Sequence, residues 1–106
     1  MKLWYSNSSP YARKARAVVQ YHQLQDHVEL LLATSGLDKN SPHNLDNPLG
    51  RLPTLQRENG EWLYNSSLIA EYLDHIGTQP SLYGNSETRW EILRLHYLAD
   101  GILENE

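Results

Sequence analysis

The twelve residues YSNSSPYARKAR, Tyr5 to Arg16, decide the fold. They follow KLWY at 2–5, an aromatic and aliphatic run suited to a short strand, and they pass through the turn-forming residues SNSSP into good helix formers. Pro10 suits the first helical position, where its missing N–H costs nothing, which makes Ser9 the natural N-cap. From Tyr11 to about Leu24 the residues Ala12, Ala15, Val18, Val19 and Tyr21 give the helix a partly apolar face. HVELLL at 27–32 is aliphatic enough for a second strand, and a crossover through a helix makes it parallel to the first. The opening unit is therefore βαβ.

Downstream, residues 33–50 hold two prolines, two glycines and several Asn, Asp and Ser, which predicts an irregular segment with at most a short helix near 43–47. A connection this long is often functional. TLQRENGEWLY at 54–64 reads as a hairpin whose two strands meet across Asn59-Gly60, the pair favoured in tight primed turns. NSSLIAEYLDHIG then sets Leu68, Ile69, Tyr72, Leu73 and Ile76 at helical spacing, with Asn65 or Ser66 as cap and Gly77 in the stop position. From Glu87 onward the pattern is helical again, with Trp90, Leu93 and Tyr97 on one line and Leu95, Leu98 and Ile102 on another. That apolar surface is wider than one amphipathic stripe needs and expects neighbours on several sides.

Composition narrows the function classes. The 106 residues carry a formal charge of −4 and no cysteine, so disulfides, thiolate metal sites and redox chemistry by a thiol of the chain itself are excluded. Residues 1–24 carry Lys2, Arg13, Lys14 and Arg16 and no acid, leaving five basic residues against thirteen acids after them. This distribution lacks the broad basic face of a nucleic-acid binder and suits a local site for a small anion. No run approaches the ~18 apolar residues of a membrane span, and MKLWYSNSSP lacks the apolar core of a signal peptide, so a soluble cytoplasmic protein is expected. His22, His27, His43, His75 and His96 have no metal-ligand spacing. Trp4, Trp62 and Trp90 read as core or interface residues.

Three places have functional readings beside plainer ones. The amides of the first helical turn after Ser9 carry a partial positive charge suited to an anion, and Arg13, Lys14 and Arg16 add to the field; the plainer reading is a well-capped helix with a solvated basic face. In GRLPTL, Pro53 stands just before a strand, where a cis bond would expose the backbone of Leu52 to an extended peptide, whereas an ordinary trans proline is the commoner case. At NSS, 65–67, the outward amides of a second helix start could hold a carboxylate, or simply be capped.

Taken together, SSPYARKAR at 8–16, NPLGRLPTL at 47–55 and NSSLIAEYL at 65–73 resemble, in order and spacing, the amino-terminal thioredoxin-fold domain of cytosolic glutathione S-transferases, especially bacterial members with serine before the helix. LADGILE at 98–104 resembles the first helix of that family's helical second domain. The resemblance implies an α/β fold, a thioredoxin-like βαβ-ββα domain with a mixed four-stranded sheet, followed by the start of an all-α domain. It implies a glutathione-binding domain over 1–78, a linker over 79–86, and over 87–106 the first helix of a truncated helical domain.

The same resemblance implies that glutathione is the co-substrate, with no metal, and that Ser9 is the catalytic hydroxyl. Leu52, followed by Pro53, would pair by backbone with the cysteinyl residue of glutathione, and Ser66 would hold its γ-glutamyl carboxylate. Ser8 takes the place of Ser9 if the loop is shifted by one residue, but Ser9-Pro10-Tyr11-Ala12 lines up with the Cys-Pro-Tyr-Cys of the related glutaredoxins. Asn65 departs from the family, where an acid at this position helps bind the γ-glutamyl amine, so weaker binding or an acid from a partner subunit is expected. The expected parent is a homodimeric glutathione transferase acting on a small electrophile, without nucleic acid or membrane partners, and this chain is expected to be a piece of it with little activity. The alternative is a non-catalytic binding or regulatory module of the same fold.

Overall fold

Leu3 and Leu55 face each other across two neighbouring strands and are both fully buried, and the rest of the core is assembled around that pair. The computed structural model describes residues 1–33 and 52–104, so the short helix expected near 43–47 lies outside the described residues. Strand β1 (Lys2–Tyr5) leads into helix α1 (Pro10–Tyr21), which crosses to β2 (Glu29–Leu32); β3 (Thr54–Gln56) and β4 (Trp62–Tyr64) form the hairpin, followed by α2 (Ser66–His75) and α3 (Arg89–Glu104). The sheet order is β2-β1-β3-β4, with β2 parallel to β1 and the other pairings antiparallel, as the βαβ and hairpin patterns require. This is the mixed four-stranded, thioredoxin-like sheet expected from the sequence.

Helices α1 and α2 bury Ala15, Val18 and Val19 from one, and Ile69, Ala70 and Leu73 from the other, in one cluster with Leu3 and Leu55. Each such Leu or Ile contributes roughly 1.5–3 kcal/mol of transfer free energy, so this cluster dominates the stability of the sheet-and-helix unit. Tyr83 and Leu93 extend it toward α3. Ile92 packs against the cluster while partly buried, but Trp90 is 74% exposed, and Leu95, Tyr97, Leu98, Ile102 and Leu103 are exposed as well. Thus Trp90 is no core residue among the described contacts, while Leu93 is.

Several boundaries differ from the sequence pattern. Helix α1 ends at Tyr21 instead of near Leu24, because Gln23 takes a left-handed conformation (φ 56°) and the Gln23 and Leu24 amides donate to the carbonyls of Gln20 and Val19. That is the pattern of a Schellman stop, here without glycine. Gly77, read as a stop of the same kind, does not have a positive φ; a β-carbon there would instead collide with the His22 ring. The hairpin is not closed by a two-residue primed turn either. Only Gly60 (φ 90°) has a positive φ, the Gly60 amide donates to Arg57 O at 3.0 Å, and the Arg57 amide donates to Glu61 O at 2.8 Å, which makes a longer, bulged connection. Helix α3 begins at Arg89, two residues after Glu87, because Asn85 Oδ1 first accepts the amides of Glu87 (2.9 Å) and Thr88 (3.0 Å) in a capping turn.

The C-terminal ends of α1 and α2 are locked by a buried pair. Gln79 N–H donates to His22 Nδ1 (3.1 Å), which leaves the proton on Nε2 to donate to Asp74 Oδ1 at 2.8 Å. Asp74 also accepts from Ser81 Oγ (2.6 Å) and the Leu82 amide (2.7 Å). Burial alone would raise the Asp74 carboxyl, but the Leu82, Ser81 and His22 hydrogen bonds together hold it below the usual carboxylate range. The segment after α2 is therefore fastened back onto α1.

Candidate functional site

At the start of α1, Ser9 is extended (φ −79°, ψ 118°), and its Oγ accepts the Ala12 amide at 3.1 Å, with Pro10 opening the helix. The cap and the proline stand where the sequence assigns them. A hydroxyl that accepts an amide still has its own proton to give, and no described residue accepts it. The first turns of α1 and of α2 contain no acid of their own; the acid that reaches α2 comes from α3, where Asp100 accepts the Ser67 hydroxyl at 2.6 Å.

At the start of α2 the cap is Asn65, not Ser66. Its Oδ1 accepts the Ser67 amide at 2.8 Å and its carbonyl accepts the Ile69 amide at 3.0 Å. Asn65 does this at φ 80° and ψ 122°, a conformation costing a non-glycine residue on the order of 1–3 kcal/mol. Ser66 and Ser67 are buried, and no hydrogen bond joins the Ser66 amide or hydroxyl to a described residue. Leu52 and Pro53 precede β3, Pro53 is buried, and the peptide bond between them is cis.

Register brings these places to one end of the sheet. Thr54, the first residue of β3, pairs with Trp4 near the end of β1 and with Tyr64 at the end of β4. The loop to Ser9, the Leu52–Pro53 step and the Asn65–Ser66 step therefore all lie at the same end of the sheet. The helices agree with this. Lys14 of α1 and Ser67 of α2 both bond Asp100, while at the far ends His22 bonds Asp74, so α1 and α2 lie side by side with their N-termini together.

The basic cluster behaves differently from its reading in the sequence. Lys14 Nζ donates to both oxygens of Asp100 (2.9 and 3.0 Å) and to His96 Nε2 (2.8 Å), so its charge is neutralised inside the molecule. The Arg16 guanidinium lies 4.5 Å from the centre of the Tyr5 ring. Arg13 is exposed. Burial would raise the Asp100 carboxyl, but the Ser67 hydroxyl and Lys14 outweigh it and hold the group below its ordinary range. Burial, and then the Lys14 charge, push His96 down and favour the neutral ring that accepts from Lys14.

Sequence reasoning assigned no part to Ser67, His96 or Asp100. The available signal was position: Leu93, His96 and Asp100 recur at helical spacing, so the polar pair shares the face that Leu93 buries. Among the described residues no group of His, Asp and Glu is arranged to hold a metal, and no helix is long and apolar enough to cross a membrane.

A thioredoxin-like sheet with two parallel helix starts gathered at one end defines the class of the protein, and comparison with known proteins narrows it. A family model described as "Glutathione S-transferase, N-terminal domain" matches residues 8–76. The chain belongs to the glutathione S-transferase family. It is 30% identical to the uncharacterized GST-like protein YibF of Escherichia coli K12, over 98% of this chain and 50% of that protein. A glutathione S-transferase from Methylobacillus flagellatus KT, solved with GSH bound, is 38% identical with a TM-score of 0.87, covering 97% of this chain and 50% of the other. A glutathione transferase family member from Pseudomonas fluorescens Pf-5, solved with bound glutathione, is 36% identical with a TM-score of 0.84, covering 97% and 51%. The chain thus spans about half the length of these relatives.

Proposed function

We propose that the chain is the glutathione-binding part of a glutathione transferase of the serine type, with residues 1–78 as that domain, 79–86 as linker and the following helix as the start of a helical domain. The observation that carries this reading is the meeting, at one end of the sheet, of two helix N-termini whose first turns hold no acidic residue and of the segment entering β3. A tripeptide with a thiol in the middle and a carboxylate at its γ-glutamyl end fits that arrangement. Relatives solved with bound glutathione support the choice of ligand.

In this reading the Ser9 hydroxyl donates to the glutathione sulfur, Leu52 ahead of Pro53 offers its backbone to the cysteinyl residue, and Ser66 binds the γ-glutamyl carboxylate. Asn65 stands where an acid would meet the γ-glutamyl amine. A free thiol has a pKa of about 8.5, and lowering it by ~2 units needs ~2.7 kcal/mol. A hydrogen bond to a charged acceptor supplies roughly 1.5–3 kcal/mol, and a helix start about 0.3–2. Ser9 and the α1 amides suffice without Lys14, whose charge Asp100 already takes up. The thiol proton leaves to water, and the thiolate attacks the electrophile. A carbon–sulfur bond forms as the electron pair passes to the leaving group or acceptor atom of the electrophile. The parent protein is read as a cytoplasmic homodimer.

Calorimetric titration of glutathione tests this. Binding that weakens at least tenfold in Ser66→Ala is expected. Absence of binding up to roughly millimolar ligand, an affinity of only about −4 kcal/mol, would leave a thioredoxin-fold interaction module instead of a glutathione site.

A further inference from the structure

Of the three cations in RKAR, 13–16, only Lys14 is taken up by an acid inside the molecule. Arg13 is exposed and Arg16 lies partly buried over the Tyr5 ring, and neither pairs with an acid among the described residues. With Ala17 and Gln20 they recur at helical spacing and form one wall of an open groove that Gln25 and Leu30 complete. No acid lines it. Its volume of about 360 Å³ is at the low end for small-molecule pockets, which hold roughly 300–1,000 Å³ and enclose most of their ligand. An open trough of this size suits an extended chain better than a small molecule.

The floor of the groove is the outer strand of the sheet. Among the described residues β2 is paired on one side only, with β1. The Glu29 and Ala33 amides donate to Met1 O and Tyr5 O, each at 2.8 Å. Successive amides of a strand alternate in direction, so those of Leu30 and Leu32 point away from β1, where no described residue bonds them. Their side chains, in register with Leu3 and Tyr5, lie on the α1 side and are 45% and 50% exposed. Open edges in natural sheets are usually shielded by lysine, proline or a bulge. The strand ELLL has none of these, and its one charge, Glu29, is in register with Lys2 on the opposite face.

We propose that the groove between α1 and β2 receives an acidic, extended segment of a partner protein, which adds to the open edge of β2 as a fifth strand. The outward backbone groups of Leu30 and Leu32 supply the main-chain bonds of such a strand addition. Side chains on the α1 face of the added strand cross the two leucines and end at Arg13 and Arg16. A glutamate there lays its methylene groups on Leu30 and Leu32 and its carboxylate against a guanidinium, whose planar fork matches it. A second copy of the chain fits less well, because antiparallel pairing of β2 with itself would bring two sets of these arginines together. The inference is independent of the glutathione reading, which gives neither arginine a role.

The probe is a short synthetic peptide of alternating glutamate and valine, titrated into the chain by calorimetry beside the same peptide with lysine for glutamate. The glutamate peptide should bind at least tenfold more tightly than the lysine peptide. The double variant Arg13→Gln with Arg16→Gln should bind it at least fivefold more weakly than wild type, and since glutamine keeps the helix propensity of α1, that loss does not report unfolding. Amide hydrogen exchange supplies a readout that charge attraction alone would not move. With the peptide saturating, Leu30 and Leu32 should exchange at least tenfold more slowly, while Glu29 and Ala33, already bonded to β1, should be unaffected. No binding, equal binding of the two peptides, or binding that leaves Leu30 and Leu32 unprotected would overturn the proposal. So would protection of those two amides without peptide that grows with protein concentration, which would assign the edge to a second copy.

Discussion

Ser9 has two jobs in this account, capping α1 and stabilising a thiolate, and two substitutions separate them. Ser9→Ala removes both: it should cost about 0.5–2 kcal/mol of folding stability through the lost cap, and it deletes the donor to sulfur. Ser9→Asp keeps the cap, since Asp accepts the Ala12 amide as well as Ser does, but it offers a negative charge where the thiolate forms. The lost hydrogen bond is worth roughly 1.5–3 kcal/mol, so the thiol of bound glutathione should ionise about 1–2 pH units higher in Ser9→Ala, at ~1.4 kcal/mol per unit. In Ser9→Asp the shift should be at least as large. The assay is the ultraviolet thiolate absorbance of saturating glutathione followed against pH, beside chemical denaturation of each variant. Expected is a Ser9→Asp protein as stable as wild type that has lost the thiolate signal at neutral pH. A stable Ser9→Asp that keeps the signal would refute the assignment of the hydroxyl.

Other substitutions test neighbouring parts. Asn65→Asp preserves the cap and restores an acid for the γ-glutamyl amine, so calorimetry should show several-fold tighter glutathione binding with unchanged stability. Gly77→Ala drives a methyl group into His22, and denaturation should show a loss of about 1–3 kcal/mol. Gln23→Gly should raise stability by a few tenths to about 1 kcal/mol, because the left-handed stop of α1 falls on a residue with a side chain. The Asp74 carboxyl is held below its unfolded value, so the stability it contributes is complete above about pH 4 and disappears as pH falls through the lower folded value. Acid denaturation curves should therefore fall less steeply below about pH 4 in Asp74→Asn than in wild type.

Local chemistry made much of the fold legible. The aromatic and aliphatic run KLWY, the Ser9-Pro10 helix start and the Leu68–Ile76 spacing each specify an element from nearest neighbours, and the crossover rule then makes β1 and β2 parallel. Where two elements approach each other, the sequence was less explicit. Gly77 suggests a left-handed stop, yet its smallness serves the His22 ring, and the left-handed residue is Gln23. The Asn59-Gly60 pair suggests a primed turn, but the bulged pairing of Arg57 with Glu61 uses only the glycine that way.

The same contrast holds at the candidate site. Ser9 is legible as a cap, and the second cap is narrowed to Asn65 or Ser66, of which the structure uses Asn65, because capping is a matter of residues within three positions. Lys14 was misread as a free charge because its partner, Asp100, is 86 residues away. Nothing in RKAR says which of its cations an acid on a later helix will take. The helix-periodic placement of His96 and Asp100 on the line of Leu93 was the one available trace of that contact.

The central claim is that glutathione binds across the two helix starts, and amide chemical-shift mapping during a glutathione titration tests it most directly. The account predicts the largest shifts at Tyr11 and Ala12 in the first turn of α1, at Leu52, and at Ser66 and Ser67, with little change along the open groove between α1 and β2 lined by Arg13, Arg16, Gln20 and Leu30. Shifts confined to that groove, or none at all, would contradict it.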